Sequence, residues 1–263
     1  MTIDPETQAL TDFAQDGVVC IRAAIDLRWL DKLRDATERG LRTSENYFRR
    51  HTLWQDEPIF EKFCFESQAP KLASQLLQTR KLNLLYDQIF VKEPGSGTAT
   101  PWHNDQPYWP VRGSRVATVW VALDAITKES GAMEFIKGSH RWNRWFQPFL
   151  AATDGGVDTV YERSIEFEPL PDFDAHRAQL HILCFDMQPG DAIVFHALTV
   201  HGARANVAQR RRRGYAIRYT GDDVTYFEGP GTNPRLLNSA LVAGRAIDSE
   251  EFPVVMNSED VSR

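Results

Sequence analysis

The chain has 263 residues, of which 42% are hydrophobic and 25% charged. These fractions are typical of globular proteins, so they exclude a disordered tract, a collagen-like repeat and a long coiled coil. No apolar run approaches the roughly 18 residues of a membrane span, and the formal net charge of −6 argues against nucleic acid as the main partner.

The first 80 residues have mostly helical patterns. Apolar residues at helical spacing predict helices over 5–15 and 27–41, the second capped by Asp26, and further helices over 58–77 that are broken around Pro70. A short β-type run over 17–22 separates the first two helices.

The pattern changes after residue 80, where short apolar runs alternate with polar turns. Strands are predicted over 82–92, 116–123, 132–135, 180–185, 192–196 and 215–220. Many short strands with turns between them indicate an antiparallel sandwich or barrel, with the early helices packed outside.

The domain organisation is predicted to be a single domain over 1–263. It comprises a helical part over about 1–80, a β core over about 81–225 and a poorly patterned tail over 226–263. Residues 141–180 look like an irregular insertion, and no repeat or linker interrupts the chain.

The cysteines and the N-terminus bear on the cellular compartment. Cys20, Cys64 and Cys184 are odd in number and far apart, which provides neither a disulfide framework nor a CxxC metal site. The N-terminal residues are acidic and do not resemble a secretory signal. We therefore expect reduced thiols, a cytoplasmic protein and no membrane partner; the sequence carries no signal for the oligomeric state.

His103 and Asp105 form the first motif with chemical potential. In an extended chain, residues two apart point to the same face, so the imidazole and the carboxylate would converge. Taken alone, the motif is short enough to occur by chance, and a surface or hydrogen-bonded polar pair is the favoured interpretation.

A second histidine, His201, follows a turn and a buried-looking strand and precedes Gly202. Two histidines and one carboxylate on a β scaffold are the ligand set of non-haem Fe(II) oxygenases, which leave the remaining metal positions open. Four arginines, residues 210–213, come next. One of them is expected to face the cavity and bind a carboxylate, while at least two are expected to form a solvated face.

Together these motifs resemble the phytanoyl-CoA dioxygenase family of Fe(II)/2-oxoglutarate oxygenases. The resemblance rests on His103-x-Asp105, on the run from Gly131 to His140 that contains Met133, Phe135 and Gly138-Ser139, and on His201-Gly202 with an arginine eleven residues later. It covers about residues 10–225 and implies a mostly β fold with flanking helices around a double-stranded β-helix, the jelly-roll or cupin-like core.

The resemblance also implies cofactors and site residues. His103, Asp105 and His201 would bind Fe(II), with 2-oxoglutarate and O₂ as co-substrates. Arg212 would bind the C5 carboxylate of 2-oxoglutarate, with Arg213 as its nearest competitor.

Three further residues would contact the co-substrate. Gln88 and Lys92 share one face of a strand that provides polar contacts in this family, although a lysine extending from a strand end is an equal alternative. Trp120 is placed where family members carry an aromatic residue against 2-oxoglutarate, although a core tryptophan is an equal alternative.

The substrate-facing residues and the remaining histidines are less clear from the sequence. Four aromatic residues near the ligands could line a substrate pocket or could simply pack: Trp102, Tyr108, Trp109 and Phe135. His140 and His196 are expected to be structural.

The expected reaction is hydroxylation of a C–H bond of a small-molecule metabolite, with release of succinate and CO₂. Halogenating relatives lack the carboxylate ligand, and Asp105 is present here. Three alternatives remain: desaturation or cyclisation of a secondary-metabolite intermediate, a non-catalytic binding protein with the same fold, and an anion binder that uses the arginine run.

Overall fold

The computed structural model describes residues 5–43, 52–151 and 157–257. Within these ranges, short antiparallel strands dominate and the longer helices lie in the first third of the chain. This is the predicted double-stranded β-helix architecture with flanking helices, so the fold-class prediction is confirmed. None of the helices in the described ranges is long and apolar enough to cross a membrane.

Except for the short helix α3, which was not predicted, the described helices occur where the apolar spacing predicts them, with differences at their ends. They are α1 (Pro5–Asp16), α2 (Leu30–Thr43), α3 (Leu53–Asp56), α4 (Pro58–Glu66) and α5 (Ala69–Leu77). The Asp26 side chain accepts the backbone N–H of Arg28, which caps the short 3₁₀ turn Leu27–Trp29 that leads into α2.

The prediction that the helical segment 58–77 is broken around Pro70 is wrong in its position. The break lies at residues 67–68, and Pro70 stands in the first turn of α5. A proline is tolerated in the first turn because the N–H it lacks has no partner within the helix. It therefore marks the start of α5 rather than an interruption.

The strands form two main sheets and two short ribbons. In chain order they are β1 (Val18–Ile21), β2 (Lys81–Lys92), β3 (Thr100–His103), β4 (Val111–Arg112), β5 (Val116–Ala122), β6 (Met133–Ile136), β7 (Phe149–Ala151), β8 (Val157–Val160), β9 (Ile182–Cys184), β10 (Ala192–His196), β11 (His201–Ala203), β12 (Arg212–Thr220), β13 (Thr225–Tyr226) and β14 (Val254–Asn257). The larger sheet has the order β1-β10-β5-β12-β2-β14, and the smaller has the order β3-β11-β6-β9.

Burial explains how the two sheets and the helices are arranged. All of β5 and nearly all of β12 are buried, which is typical of central strands covered on both faces. One face carries the main apolar core, where Phe60 and Phe63 of α4 pack against Tyr215 of β12. The opposite face of β12 looks toward the smaller sheet and leaves a cavity between the two sheets.

Besides the two-residue strands β4 and β13, five described strands that the patterning does not predict complete the architecture. β7 and β8 form a hairpin inside the segment expected to be irregular, and β14 adds an edge strand to β2 from within the tail. β3 and β11 are the other two, and they pair with each other. Each has only three or four residues, too few for an alternating pattern to stand out.

Candidate active site

Strand pairing brings the two predicted histidine ligands together. His103 is the last residue of β3, His201 is the first residue of β11, and the two are directly paired in the smaller sheet. Their ring centroids are 4.3 Å apart. Residues 98 positions apart in the chain thus present their imidazoles at one end of the cavity.

The Asp105 carboxylate also lies beside the two imidazoles, but its backbone is not in the extended conformation that the spacing predicts. Its φ of −81° and ψ of −39° are helical, and it begins the 3₁₀ turn Gln106–Tyr108. The extended-chain argument is therefore wrong for this residue. Its backbone N–H donates to the carbonyl oxygen of Ala197 at 2.9 Å, which turns the carboxylate back toward the imidazoles.

The three side chains form a cluster that could hold one metal ion. Asp105 Oδ1 lies 3.4 Å from His103 Nε2 and 3.9 Å from His201 Nε2. Two ligand atoms that each bond one ion at about 2.1 Å can lie at most about 4.2 Å apart. Both distances satisfy that limit, and two imidazoles with one carboxylate fit Fe(II).

Hydrogen bonds to the backbone orient both imidazoles for metal binding. His103 Nδ1 lies 2.8 Å from the carbonyl oxygen of Pro101, and His201 Nδ1 lies 3.0 Å from that of Thr199. A carbonyl only accepts, so each Nδ1 carries the proton and donates it. Each Nε2 lone pair is then directed toward the cluster, as is usual for metal-binding histidines.

The protonation states also suit a cation. Burial lowers the pKa of His201 to about 4, so its imidazole is neutral at physiological pH. Burial alone would raise the pKa of Asp105, but the nearby imidazoles and the Arg218 guanidinium bring it to about 2. The cluster thus presents the neutral imidazole of His201 and the ionised carboxylate of Asp105 to a cation.

Arg212 is the arginine of the run that enters the cavity. It is 3% exposed, and burial lowers the pKa of its guanidinium to about 10. Nη2 donates to the carbonyl oxygen of Gly131 at 2.6 Å, while the buried Nε has no hydrogen-bond partner. An unsatisfied buried donor of this kind suits an anionic ligand.

The other three arginines of the run lie elsewhere. Arg213 donates to Asp124 and Glu38, and Arg211 pairs with Glu38 and Glu93. Arg210 is exposed. The structure thus places Arg212, and not its competitor Arg213, in the cavity.

Trp120 and Gln88 also line the cavity beside Arg212. Trp120 faces Ala216 of β12, and its ring lies 4.9 Å from the Arg212 guanidinium. A Cβ atom built on Gly214 would lie 1.7 Å from the Trp120 indole, so only glycine leaves room for this ring. Gln88 pairs with Ala216 from the other side, so both predicted co-substrate residues border one section of β12.

Lys92 lies at the same wall, but its ammonium is turned toward the backbone. Nζ donates to the carbonyl oxygens of Thr98 at 3.1 Å, Ala203 at 3.3 Å and Arg204 at 2.5 Å. Burial and the nearby Arg212 lower its pKa to about 7. These contacts connect β2 to the end of β11 and leave the amine no further donor for a ligand.

Of the four aromatic residues predicted near the substrate, two line the cavity. The Tyr108 hydroxyl lies 3.0 Å from both the N–H and the carbonyl oxygen of Phe149 in β7, and Trp109 Nε1 donates to the Tyr86 hydroxyl. The predictions for Trp102 and Phe135 are wrong, because neither side chain is part of this lining.

Trp102 and Phe135 pack behind the site instead. Trp102 contacts Phe173 and donates from Nε1 to Asp174, and Phe135 stacks on the His201 ring at 5.8 Å. Neither belongs to the cavity lining that the described residues form.

The histidines expected to be structural are hydrogen-bonded away from the cluster. His196 Nδ1 accepts the backbone N–H of Leu198, and its Nε2 donates to the carbonyl oxygen of Ser114. His140 Nε2 lies 3.2 Å from the carbonyl oxygen of Ala14. These hydrogen bonds support a structural role for both histidines.

Sequence reasoning missed Arg218, which also lines the cavity and is 4% exposed. It follows Arg212 by six residues on the same strand, so period-two alternation puts both on one face. Because the predicted strand began only at 215, this relationship was not visible in the patterning.

A family model for phytanoyl-CoA dioxygenase matches residues 13–214. The curated relatives include a probable phytanoyl-CoA dioxygenase of Caenorhabditis elegans, 25% identical over 71% of this chain and 59% of the relative. The peroxisomal phytanoyl-CoA dioxygenase of Homo sapiens is 26% identical over 60% of this chain and 45% of the relative. The chain thus spans about half the length of the curated relatives it matches.

Solved structures share the fold over nearly the whole chain. The non-haem α-ketoglutarate-dependent carbocyclase SnoK from nogalamycin biosynthesis has a TM-score of 0.74 and 22% identity, with 97% of each chain covered. The epimerase SnoN from the same biosynthesis also has a TM-score of 0.74, with 19% identity over 97% of this chain and 98% of its own. EctD from S. alaskensis, solved with 2-oxoglutarate and 5-hydroxyectoine, has a TM-score of 0.69 and 16% identity, covering 95% of this chain and 88% of its own.

Proposed function

The chain belongs to the phytanoyl-CoA dioxygenase family, and from this premise we propose that it is an Fe(II)- and 2-oxoglutarate-dependent oxygenase. The proposed reaction is hydroxylation of a C–H bond of a small-molecule metabolite, with release of succinate and CO₂. The observation that carries this proposal is a two-histidine, one-carboxylate cluster in the same cavity as a buried arginine with an unsatisfied donor.

The chain's own residues would hold the metal without rearrangement of their hydrogen bonds. His103 and His201 present Nε2 because Nδ1 is engaged by the backbone, and Asp105 provides the negative oxygen. Thr118 Oγ1 lies 3.5 Å from the second oxygen of Asp105 and would fix the carboxylate orientation. Fe(II) bound there would supply the open positions for a 2-oxo acid and O₂.

Arg212 would bind the distal carboxylate of 2-oxoglutarate. A guanidinium forms two parallel hydrogen bonds to a carboxylate, and burial strengthens such a pair by excluding water. The Trp120 ring would hold the guanidinium plane in place by a cation–π contact. The co-substrate would then lie along the Gly214 and Ala216 section of β12.

The rest of the cavity would orient the substrate and keep water away from the reacting carbon. The whole cavity, including the metal cluster and the Arg212 section, has a volume of about 750 Å³, which is within the range of small-molecule sites. Tyr108 connects the turn after Asp105 to β7, so the β7 wall is attached to the metal-binding segment itself.

Asp105 supports oxygenation over halogenation, because a carboxylate ligand leaves no place intended for a halide. Desaturation and ring formation need the same site residues, and the names of SnoK and SnoN show that this fold also serves a carbocyclase and an epimerase. Hydroxylation is preferred because it needs no feature beyond the cluster, Arg212 and a C–H bond held near the metal.

The proposal is tested by screening candidate metabolites for substrate-dependent succinate formation, followed by mass spectrometry of products made under ¹⁸O₂ in chloride buffer. We expect an ¹⁸O-labelled product from the wild type and no turnover from His201→Ala. A chlorinated product, or turnover retained by His201→Ala, would contradict the proposal. A product with neither label would replace hydroxylation by desaturation or ring formation.

A further inference from the structure

The cavity contains a second buried arginine that is not in ion-pair contact with any described carboxylate. Arg218 forms no ion pair with any residue in the part of the chain that the structure describes, and its buried Nε has no hydrogen-bond partner. Its one hydrogen bond within that part runs from Nη1 to the carbonyl oxygen of Ala216, at 3.3 Å. Burying an uncompensated guanidinium is costly, so the position indicates a site for an anion.

Aromatic rings hold this guanidinium in the cavity without neutralising it. Its central carbon lies 4.5 Å from the Tyr86 ring centroid and 5.5 Å from that of Phe90. Both are residues of β2, which pairs with β12 and places Tyr86 directly opposite Arg218. Cation–π contacts orient the planar guanidinium, but they leave its charge and its free N–H groups available.

Arg218 lies at the opposite end of the β12 section from Arg212. The two are six residues apart, about 20 Å along a strand, and the small residues Gly214 and Ala216 lie between them on the same face. On β5, Thr118 is opposite Arg218, and it is also the residue whose hydroxyl approaches Asp105. Arg218 is therefore on the carboxylate-ligand side of the cluster.

The charges of the proposed complex leave Arg218 unmatched. The two positive charges of Fe(II) and the one of Arg212 balance the negative charges of Asp105 and of the two carboxylates of 2-oxoglutarate. Among the groups at the metal cluster and on the cavity face of β12, the charge of Arg218 remains, and it corresponds to one further monoanion. A carboxylate meets this requirement, whereas a phosphate monoester would carry nearly two negative charges.

We propose that Arg218 binds a carboxylate of the primary substrate, and that this substrate is a carboxylic acid with an aromatic or alicyclic body. This inference rests on the proposed function and names its substrate class. The walls available to the body of the substrate include the aromatic side chains of Tyr108, Trp109 and Phe149. A ring system packed against them would be oriented by its acid group at Arg218.

The test compares a matched acid and amide, 3-phenylpropionate and 3-phenylpropionamide. Each is titrated by calorimetry into the anaerobic complex of the protein with Fe(II) and saturating 2-oxoglutarate, so that Arg212 is already occupied. The wild type is expected to bind the acid at least about tenfold more tightly than the amide, because a charge-assisted bidentate contact is worth that much. In Arg218→Gln the acid should bind no better than the amide, with the amide affinity unchanged.

Arg210→Gln is the matched control, because Arg210 is exposed and outside the cavity lining. It should keep the wild-type preference for the acid. A wild type that binds the acid no better than the amide, including one that binds neither, contradicts the inference, as does a preference that survives in Arg218→Gln. If that variant does not fold, Arg218→Lys provides the test, because it keeps the charge and loses the bidentate geometry. Its acid affinity alone should fall, and an equal loss for acid and amide would contradict the inference.

A separate titration distinguishes this inference from the proposed function. Arg218→Gln should bind 2-oxoglutarate within about twofold of the wild type. If 2-oxoglutarate binding falls as much as acid binding, Arg218 serves the co-substrate, and the inference is overturned while the oxygenase proposal stands. If the wild-type protein with Fe(II) fails to bind 2-oxoglutarate at all, the oxygenase proposal itself fails.

Discussion

The four consecutive arginines show how strand alternation assigns different roles to identical residues. Arg212 points into the cavity, whereas Arg211 and Arg213 point to the other face of the sheet, where Glu38 and Asp124 neutralise them. Arg210 precedes the strand and is exposed. Among the described residues, neither Arg210 nor Arg212 has a carboxylate partner, and only Arg212 lies in the cavity, where it can bind a carboxylate of a ligand.

This difference predicts unequal effects of substitution on co-substrate affinity. Arg212→Gln should weaken 2-oxoglutarate binding by on the order of 2–5 kcal/mol, because it removes one partner of a buried charge pair. Arg210→Gln should leave the affinity unchanged, and Arg213→Gln should lower stability without a selective effect on 2-oxoglutarate. Calorimetric titration of 2-oxoglutarate into the metal-loaded variants measures this, and equal losses at 210 and 212 would favour a general anion-binding patch.

For single residues, the sequence predicts a role when the residue belongs to a recognisable motif along the chain. His103, Asp105 and His201 were recognisable because the order of their motifs resembles that of a known family, whereas the spacing argument alone was wrong for the backbone of Asp105. The positions of Trp102 and Phe135 were not predictable, because adjacency in sequence says nothing about which side of a loop or strand faces a cavity. Arg218 was missed because its relation to Arg212 exists only once both lie on one strand.

Among the elements, a buried polar network connects the helical layer to the larger sheet. The Asp87 carboxylate of β2 accepts a hydrogen bond from the Tyr215 hydroxyl of β12 at 2.5 Å and another from the backbone N–H of Trp54 in α3 at 3.2 Å. Burial raises the pKa of Asp87 from 3.8 to about 6, despite these bonds. The network thus joins three elements through a carboxyl group that binds its proton more tightly when folded.

The raised pKa predicts a specific pH dependence of stability. The folded protein binds the Asp87 proton more tightly than the unfolded chain does, so the contribution to stability is present at low pH. It is lost as the pH rises from about 4 to about 6. Urea unfolding of wild type and Asp87→Asn at pH 4 and pH 7 isolates the effect. Relative to the wild type, the variant should gain up to on the order of 3 kcal/mol between these pH values, and a difference independent of pH would contradict this assignment.

Helices and strands were predicted correctly where the apolar pattern continues over several residues, and the described ones that were missed have only two to four residues. The helices α1 and α2 and the strand β10 closely match the predicted ranges, because each carries a sustained apolar pattern. β11 has three residues and is defined by its partners in the smaller sheet rather than by its own sequence. β14 is likewise an edge strand whose identity depends on pairing with β2.

At the scale of the molecule, the cavity between the two sheets contains the candidate metal ligands and both buried arginines. The smaller sheet provides both histidines, the turn after β3 provides Asp105, and the larger sheet provides Arg212 and Arg218. The central claim is that the two histidines, Asp105 and Arg212 act together as a single centre for Fe(II) and 2-oxoglutarate. Its consequence is that the co-substrate binds through the metal at one end and through Arg212 at the other.

An anaerobic titration of the purified protein with Fe(II) and 2-oxoglutarate, followed by visible absorption, tests this claim most directly. The chelated 2-oxo acid should produce a weak charge-transfer band that saturates at one equivalent of metal. The band should be absent in Asp105→Ala and His201→Ala, and in Arg212→Gln it should need a much higher 2-oxoglutarate concentration. A wild-type protein that binds no metal, or one whose band persists unchanged in His201→Ala, would contradict the account.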